Sequence, residues 1–391
     1  MDCPLNIAAS VSSEFARLVT NEFTPYFSGG ERGDYLKKQL APFFNSLRVS
    51  TEYACACGGV MFKPYPNGKG GIAVSSVLPG AFVPLAYRGG RPTSARFFDF
   101  TEHNGQIFLR EETHIERENG YAIENRVFPL NYYGKTDACL SPADIPAWQN
   151  ISPYVEIDNL KTPLFAYFKI PMGSTTSPSS PLGESVFSRV IPLLREADRQ
   201  FSRLLWEFEG GELAIDVAED VFTAGRDGKP VLPAGKERLF RPNSLDIAYG
   251  GNDVLKTFSP ELRDKSLING LNRILMLIED GVGLARGTVS DLGQSSLTAT
   301  EIRTTKQRTY SSVCDIPHAL DFALCDLVNA CSAICDLYNL SPAIPFTYSS
   351  FFGDSVLSDS VTERNVWLDE LKSGAVSPEE YRSKWHGAIN T

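Results

Sequence analysis

From about Ala299 to Leu340 the apolar residues keep a helical spacing with one proline, Pro317, among them, and this stretch constrains the fold most. A helix of that length far exceeds the ~11–12-residue average, and Pro317 is expected to kink it rather than end it. Two helices bracketing a β-rich stretch stand ahead of it, followed by a polar loop. The first helix is read from Gly183 to Phe208 on Phe187, Ile191, Leu194, Phe201, Leu204, Leu205 and Phe208, with a kink at Pro192 and a stop at Gly210-Gly211. Glu212 to Thr257, broken by GRDGKP, LPAGK and AYGGND, reads as a small β-rich insertion. Ser259-Pro260-Glu261 then supplies an N-cap, a proline at the first helical position and an acidic first turn. That second helix carries Leu267, Ile268, Leu271, Ile274, Leu275 and Ile278 and ends at Gly281 and Gly283. The loop RGTVSDLGQSS, Arg286 to Ser296, leads to Thr298 or Thr300, either of which can cap the long helix.

The N-terminal half has a different texture. Asn6 to Phe27 reads as an amphipathic helix on Ile7, Val11, Phe15, Leu18, Val19 and Phe23, and Asp34 to Leu47 as a second, bent or interrupted at Pro42. Tyr53 to Val155 is strand-and-turn sequence; Ala95–Phe100, Gln106–His114 and Ala122–Leu130 fit three successive antiparallel strands with turns near Asn104-Gly105 and Asn119-Gly120. MGSTTSPSSP, residues 172–181, reads as an exposed connection. Near the C-terminus PFTYSSFFGDSVLSD reads as a strand with a turn, and Val361–Leu371 and Pro378–Trp385 as short helices. No internal repeat is visible.

At 391 residues and 42% hydrophobic the chain can bury one large core or two modest ones, which excludes a disordered or fibrous protein. It offers neither the ~18 uninterrupted apolar residues of a membrane span nor a basic start followed by an apolar run, so membrane insertion and secretion are not expected. Its eight cysteines read as reduced thiols; Cys331 and Cys335, four apart on a helix, suit apolar packing on one face. Cys55-x-Cys57 lacks zinc-ribbon spacing, and no metal site or cofactor is expected. The net charge of −10 argues against a protein that grips phosphates, though not against a conduit along which DNA slides.

No phosphate-cradling glycine loop, GxSxG or HExxH is present, so no enzyme activity is expected. His103, His114, His318 and His386 are widely spaced and read as satisfied or solvent-exposed side chains. The acidic pairs Glu111-Glu112, Glu219-Asp220 and Glu279-Asp280 read as solvated faces, since neighbours along one element point in different directions.

Four segments carry a family resemblance: DNLKTPLFAYFKIP (Asp158 to Pro171), SPLGESVFSRVIPLLREADRQFSRLLWEFEGGELAID (Ser180 to Asp216), FSPELRDKSLINGLNRILMLIEDGVGLARGTVSD (Phe258 to Asp291) and TATEIRTTKQRTYSSV (Thr298 to Val313). In these the chain resembles the portal proteins of siphophages and prophages of Gram-positive bacteria. The resemblance implies an α+β portal fold with an α/β wing (1–182), a two-helix stem (183–208 and 258–283), a small β-rich clip (209–257), a tunnel loop (284–298), a long kinked radial helix returning to the wing (299–360) and a short helical crown (361–391). Within the tunnel loop it marks Arg286, Gln294, Ser295 and Ser296 as the residues near DNA. It further implies a homo-oligomer of about twelve subunits at a capsid vertex, assembled in the host cytoplasm. The expected partners are double-stranded DNA passing without sequence specificity, a terminase, a head-completion or adaptor protein, and the major capsid and scaffolding proteins, with no membrane. A closed head-to-tail ring makes a cylinder with an axial hole, and about twelve copies at −10 would sum to about −120. Two alternatives stay open: another prophage structural protein such as a capsid or tail-adaptor subunit, and a metal-dependent nuclease or hydrolase.

Overall fold

The computed structural model describes residues 4–132, 134–174, 177–218, 239–243, 255–292, 309, 313–353, 360–373, 376–377 and 381. In chain order its helices are α1 (Ile7–Thr20), α2 (Gly30–Asn45), α3 (Leu47–Cys57), α4 (Ile191–Gly210), α5 (Asp264–Val282), α6 (Asp315–Tyr338) and α7 (Ser360–Ser373). The strands of the N-terminal half are β1 (Phe23–Ser28), β2 (Gly59–Pro66), β3 (Ile72–Val77), β4 (Phe82–Arg88), β5 (Arg91–His103), β6 (Gln106–Arg117), β7 (Gly120–Asn131), β8 (Gly134–Lys135), β9 (Tyr154–Asp158) and β10 (Ala166–Lys169). β11 (Ala214–Ala218), β12 (Phe240–Asn243), β13 (Leu255–Phe258) and β14 (Thr347–Phe352) follow. The chain is mixed α+β and divides into two compact units, one holding Val190–Asp280 and Arg286–Gly293 with the first seven residues, the other holding the rest.

In the larger unit the expected meander forms β5, β6 and β7, each longer than the sequence pattern marked, in the order β4-β5-β6-β7-β8 with β9 also on β7. Asn104 and Gly105 have φ of 52° and 75°, the two left-handed residues that a type I′ turn needs, and they set His103 opposite Gln106. A second sheet, β10-β2-β3, packs its Phe62 and Phe168 against one another and Phe62 edge-on against Phe43 of α2. α6 lies on this sheet and on β14, burying Leu320, Leu324, Leu327, Val328, Cys331 and Cys335. The two thiols do share the apolar face that their spacing indicates. Arg32 of α2, 3% exposed, donates to Asp336 Oδ1 at 2.6 Å and to the Ser341 carbonyl at 2.7 Å, which ties α2 to the end of α6. Gly58 (φ +89°) and Gly183 meet backbone to backbone, since a Cβ on Gly58 would stand 2.4 Å from the Gly183 oxygen.

The smaller unit is built from α4, the sheet β12-β11-β13 and α5. β11 pairs parallel with β12 and antiparallel with β13, so the β-rich reading of Glu212 to Thr257 holds where residues are described. Leu204 and Ala197 of α4 and Ile278 of α5 supply its buried apolar contacts.

Several boundaries differ from the periodicity for local reasons. Asn6 to Phe27 is not one helix: α1 stops at Thr20 and Phe23–Ser28 forms β1, which pairs antiparallel with the distant β14. α2 runs through Pro42, and a third helix, α3, occupies residues read as the start of strand sequence. α4 begins at Ile191, so Pro192 lies in its first turn, where the missing N–H removes no helical bond and no kink results. α5 begins at Asp264 rather than beside Pro260. Pro317 sits in the first turn of α6, just after the helical Val313 and the turn at Cys314; residues 299–308 and 310–312 of the expected long helix lie outside the described set, as does most of Pro378–Trp385.

Candidate functional site

The turn that follows α5 is held by a buried carboxylate. Glu279 has no exposed surface, and its Oε1 accepts from the Val289 N–H at 2.6 Å and the Ser290 N–H at 2.8 Å. Its Oε2 accepts from the Ser290 hydroxyl at 2.6 Å and the Gly287 N–H at 3.3 Å. Four donors converging on one carboxylate satisfy a charge that burial alone would make costly. Gly287 has φ +88°, and a Cβ there would lie 2.5 Å from Leu292, so the turn requires glycine at that point. Two turns back along α5, Asn272 donates to the Asp291 carbonyl at 2.7 Å and accepts the Asp291 N–H at 2.8 Å. The segment 286–291 is thereby folded onto the helix that precedes it.

Arg286, the first of the expected DNA-facing residues, belongs to this turn. Its guanidinium donates to Asp280 at 2.8 Å and 3.3 Å, and the hydrogen bond to that carboxylate holds the group protonated more firmly than usual. Half of the side chain stays exposed, so Arg286 is accessible, with its charge shared with Asp280. Gln294, Ser295 and Ser296 lie outside the described residues. Glu279-Asp280 is therefore no solvated face: one carboxylate is buried in the turn and the other is paired. Sequence reasoning missed Glu279, Ser290 and Asn272; the available signal was the seven-residue spacing of Asn272 and Glu279, which puts both on one side of a helix.

Replacing Glu279 with alanine should leave the Val289 and Ser290 amides without their acceptor, while the Gly287 N–H keeps the Ser290 hydroxyl at 3.1 Å. Hydrogen bonds to a charged group contribute about 1.5–3 kcal/mol, so amide exchange at Val289 and Ser290 should quicken by about 100-fold while exchange in α6 stays unchanged. Equal protection in both proteins would mean the turn is held by something else.

A second concentration of charge lies in the larger unit, on the sheet of β5–β7. Glu112 accepts from Lys63 Nζ at 2.7 Å and pairs with Arg110 at 3.0 Å, and its other oxygen lies 2.7 Å from His114 Nε2. His114 Nδ1 is 3.1 Å from the Tyr121 hydroxyl, and the ring packs edge-on among Phe97, Phe165 and Tyr121. Arg110 reaches Asp99 at 3.2 Å, which also accepts from Trp148 Nε1 at 3.2 Å. Burial pushes His114 below its ordinary value, more than the Glu112 hydrogen bond raises it, so the ring is neutral. Burial would raise the Glu112 carboxyl, but the His114 hydrogen bond and the Lys63 and Arg110 charges together carry it well below the carboxylate range.

Glu111, one residue away, faces the opposite side of the strand, 2.9 Å from Lys135 and 3.5 Å from Arg96. Glu111-Glu112 does diverge as read, yet both carboxylates are paired and largely buried, which corrects the solvated reading; Glu219-Asp220 lies outside the described residues. Each charged side chain in the cluster has a partner of opposite charge or a hydrogen bond. Among the described residues Arg110 Nε is buried without an acceptor, and no group of His, Cys, Asp and Glu is arranged to hold a metal ion. Among them, too, no helix is long and apolar enough to cross a membrane.

No family model matches this chain. No curated protein matches it either. Among solved structures, it is similar to a chain of the virion of a native gene transfer agent particle, at 11% identity and a TM-score of 0.47, covering 97% of this chain and 89% of that one. It is also similar to chains from the neck of the empty particle (12%, TM-score 0.45, 97% and 90% covered) and of the native particle (11%, TM-score 0.43, 97% and 89% covered).

Proposed function

We propose that this chain is one subunit of a phage portal ring, forming the channel for double-stranded DNA at a capsid vertex. The observation that carries this reading is the smaller unit: a helix, a three-stranded sheet and a second helix whose apolar side chains are left in solvent. Trp206 is 65% exposed, Leu213 52% and Ile268 47%, with Phe208, Phe258 and Leu262 also exposed. Large apolar side chains exposed on both helices and on the chain between them suit an interaction surface. Identical copies that meet head to tail through such surfaces close into a ring when the rotation permits. The four segments resembling portal proteins include both helices of this unit.

In this reading α4 and α5 form the stem, the β11–β13 sheet the clip that docks a terminase and a head-completion or adaptor protein, and the turn after α5 the start of the tunnel loop. The larger unit contacts capsid and scaffolding proteins. The chain has no catalytic role. A net charge of −10 per copy keeps DNA from adhering, while accessible residues such as Arg286 touch it briefly. Glu279 positions the loop and does not itself meet DNA.

Native mass measurement and electron microscopy of the purified full-length protein test the proposal. The expected particle is a tapered ring of about twelve copies with a hole wide enough for a duplex of about 20 Å. A particle without an axial hole, or a monomer at every concentration, rejects it. Within assembled rings, changing Arg286, Gln294, Ser295 and Ser296 together to alanine should impair DNA packaging and leave the ring mass unchanged; packaging at the parental level would remove those residues from the channel.

A further inference from the structure

In the larger unit a groove of 660 Å³ is walled by the β4–β5 turn, by residues on and around β10, and by one face of α6. Its charged lining is unbalanced, with Arg88, Arg91, Lys161 and Lys169 against Glu116 and Asp326. Both acids are already engaged: Arg88 meets Glu116 at 2.9 Å and Arg91 meets Asp326 at 3.0 Å. Lys161 and Lys169 thus give the groove a surplus of positive charge on a chain whose net charge is −10.

Phe322 stands beside these cations on α6. It is 58% exposed, on a helix whose neighbouring Leu320 and Leu324 are fully buried, and the Arg91 guanidinium lies 5.3 Å from its ring centre. β10 is the edge strand of its sheet, and among the described residues no strand pairs with its outer side. Ala166, Tyr167 and Lys169 of β10 line the groove. An edge strand beside an apolar anchor point and surplus cations suits an extended polypeptide.

We propose that this groove docks an extended acidic segment of another polypeptide, with an apolar side chain of that segment covering Phe322. Charge complementarity selects an acidic segment, through Lys161 and Lys169. Two carboxylates in the lining and an apolar floor disfavour a phosphate backbone, which would need cations spaced along its length. The proposal is independent of the ring, because none of these residues belongs to the smaller unit.

Fluorescence anisotropy with the full-length protein tests it. The probe is a labelled peptide, Asp-Asp-Glu-Leu-Phe-Asp-Glu-Asp, with a control in which lysine replaces every acid and oligothymidylate as competitor. The acidic peptide should bind and the lysine control should not. Lys161→Glu/Lys169→Glu should weaken binding by about tenfold or more, and Phe322→Ala by about threefold, with the charge effect shrinking at high salt. Unchanged folding of these surface variants is checked by circular dichroism. Three results overturn the proposal: equal binding by the charge-reversed variant, displacement of the peptide by oligothymidylate at lower concentration than by unlabelled peptide, or a changed native mass of that variant, which would make the groove a contact between copies.

Discussion

Glu112→Ala should lower the stability of the larger unit by about 3–5 kcal/mol, because it leaves the largely buried Lys63 and Arg110 without their shared counter-charge. The parent cluster places two cations against Glu112, with Asp99 taking part of the Arg110 charge. Removing the carboxylate also strips His114 Nε2 of its partner at 2.7 Å. Urea unfolding followed by near-ultraviolet circular dichroism at neutral pH measures the loss. A midpoint within error of the parent would show that the cluster is a passive consequence of the fold.

The same cluster sets an acid limit. His114 is held below its ordinary value of 6.5, so it stays neutral in the fold while the unfolded chain takes up a proton as pH falls through that value. Glu112 is held below its ordinary 4.5, so its contribution is complete above that pH and is lost as pH falls further. Both act in one direction: stability should drop as pH falls through 6.5 by way of His114 and drop further below 4.5 through Glu112. His114→Gln, which cannot titrate, should flatten the first part of that profile; because the His114 hydrogen bond also helps hold Glu112 low, the second part should shrink as well.

Trp206→Asp together with Ile268→Asp should convert the assembled particle to monomers at micromolar concentration. Both side chains are about half or more exposed in the isolated chain, so the substitutions leave the fold intact; in a ring they would place charges within a closed apolar contact. Each interface repeats around the ring, so one subunit's loss is multiplied by every contact. Sedimentation velocity reads the outcome, and circular dichroism verifies that the monomer is folded. Rings of unchanged mass would show that these residues face solvent or other proteins, and would move the subunit contact elsewhere on the chain.

The meander was legible from sequence because each strand alternates and each turn carries its own chemistry. Asn104-Gly105 specifies the hairpin within two residues, and β5 to β7 follow in order. α4 and α5 were legible from three- and four-residue spacing, though their starts were not. Pro192, Pro260 and Pro317 were read by rules of local punctuation, while the observed boundaries place two of them inside a first turn and one outside its helix altogether. β1 was hidden because its partner is β14, more than three hundred residues away in the chain, and residues 23–28 continue the helical spacing of α1.

Local periodicity and turn chemistry in the sequence determined that the chain holds both helices and strands, that three strands succeed one another, and that a β-rich insertion separates two amphipathic helices. Only the tertiary structure decided which acids are buried. Glu111-Glu112 and Glu279-Asp280 look alike as letters, yet Glu112 is enclosed by Lys63, Arg110 and His114, and Glu279 by the amides of its own turn. The reason is physical: alternation and helical spacing are carried by neighbouring residues, whereas the partner that makes a buried charge tolerable comes from wherever the chain folds back.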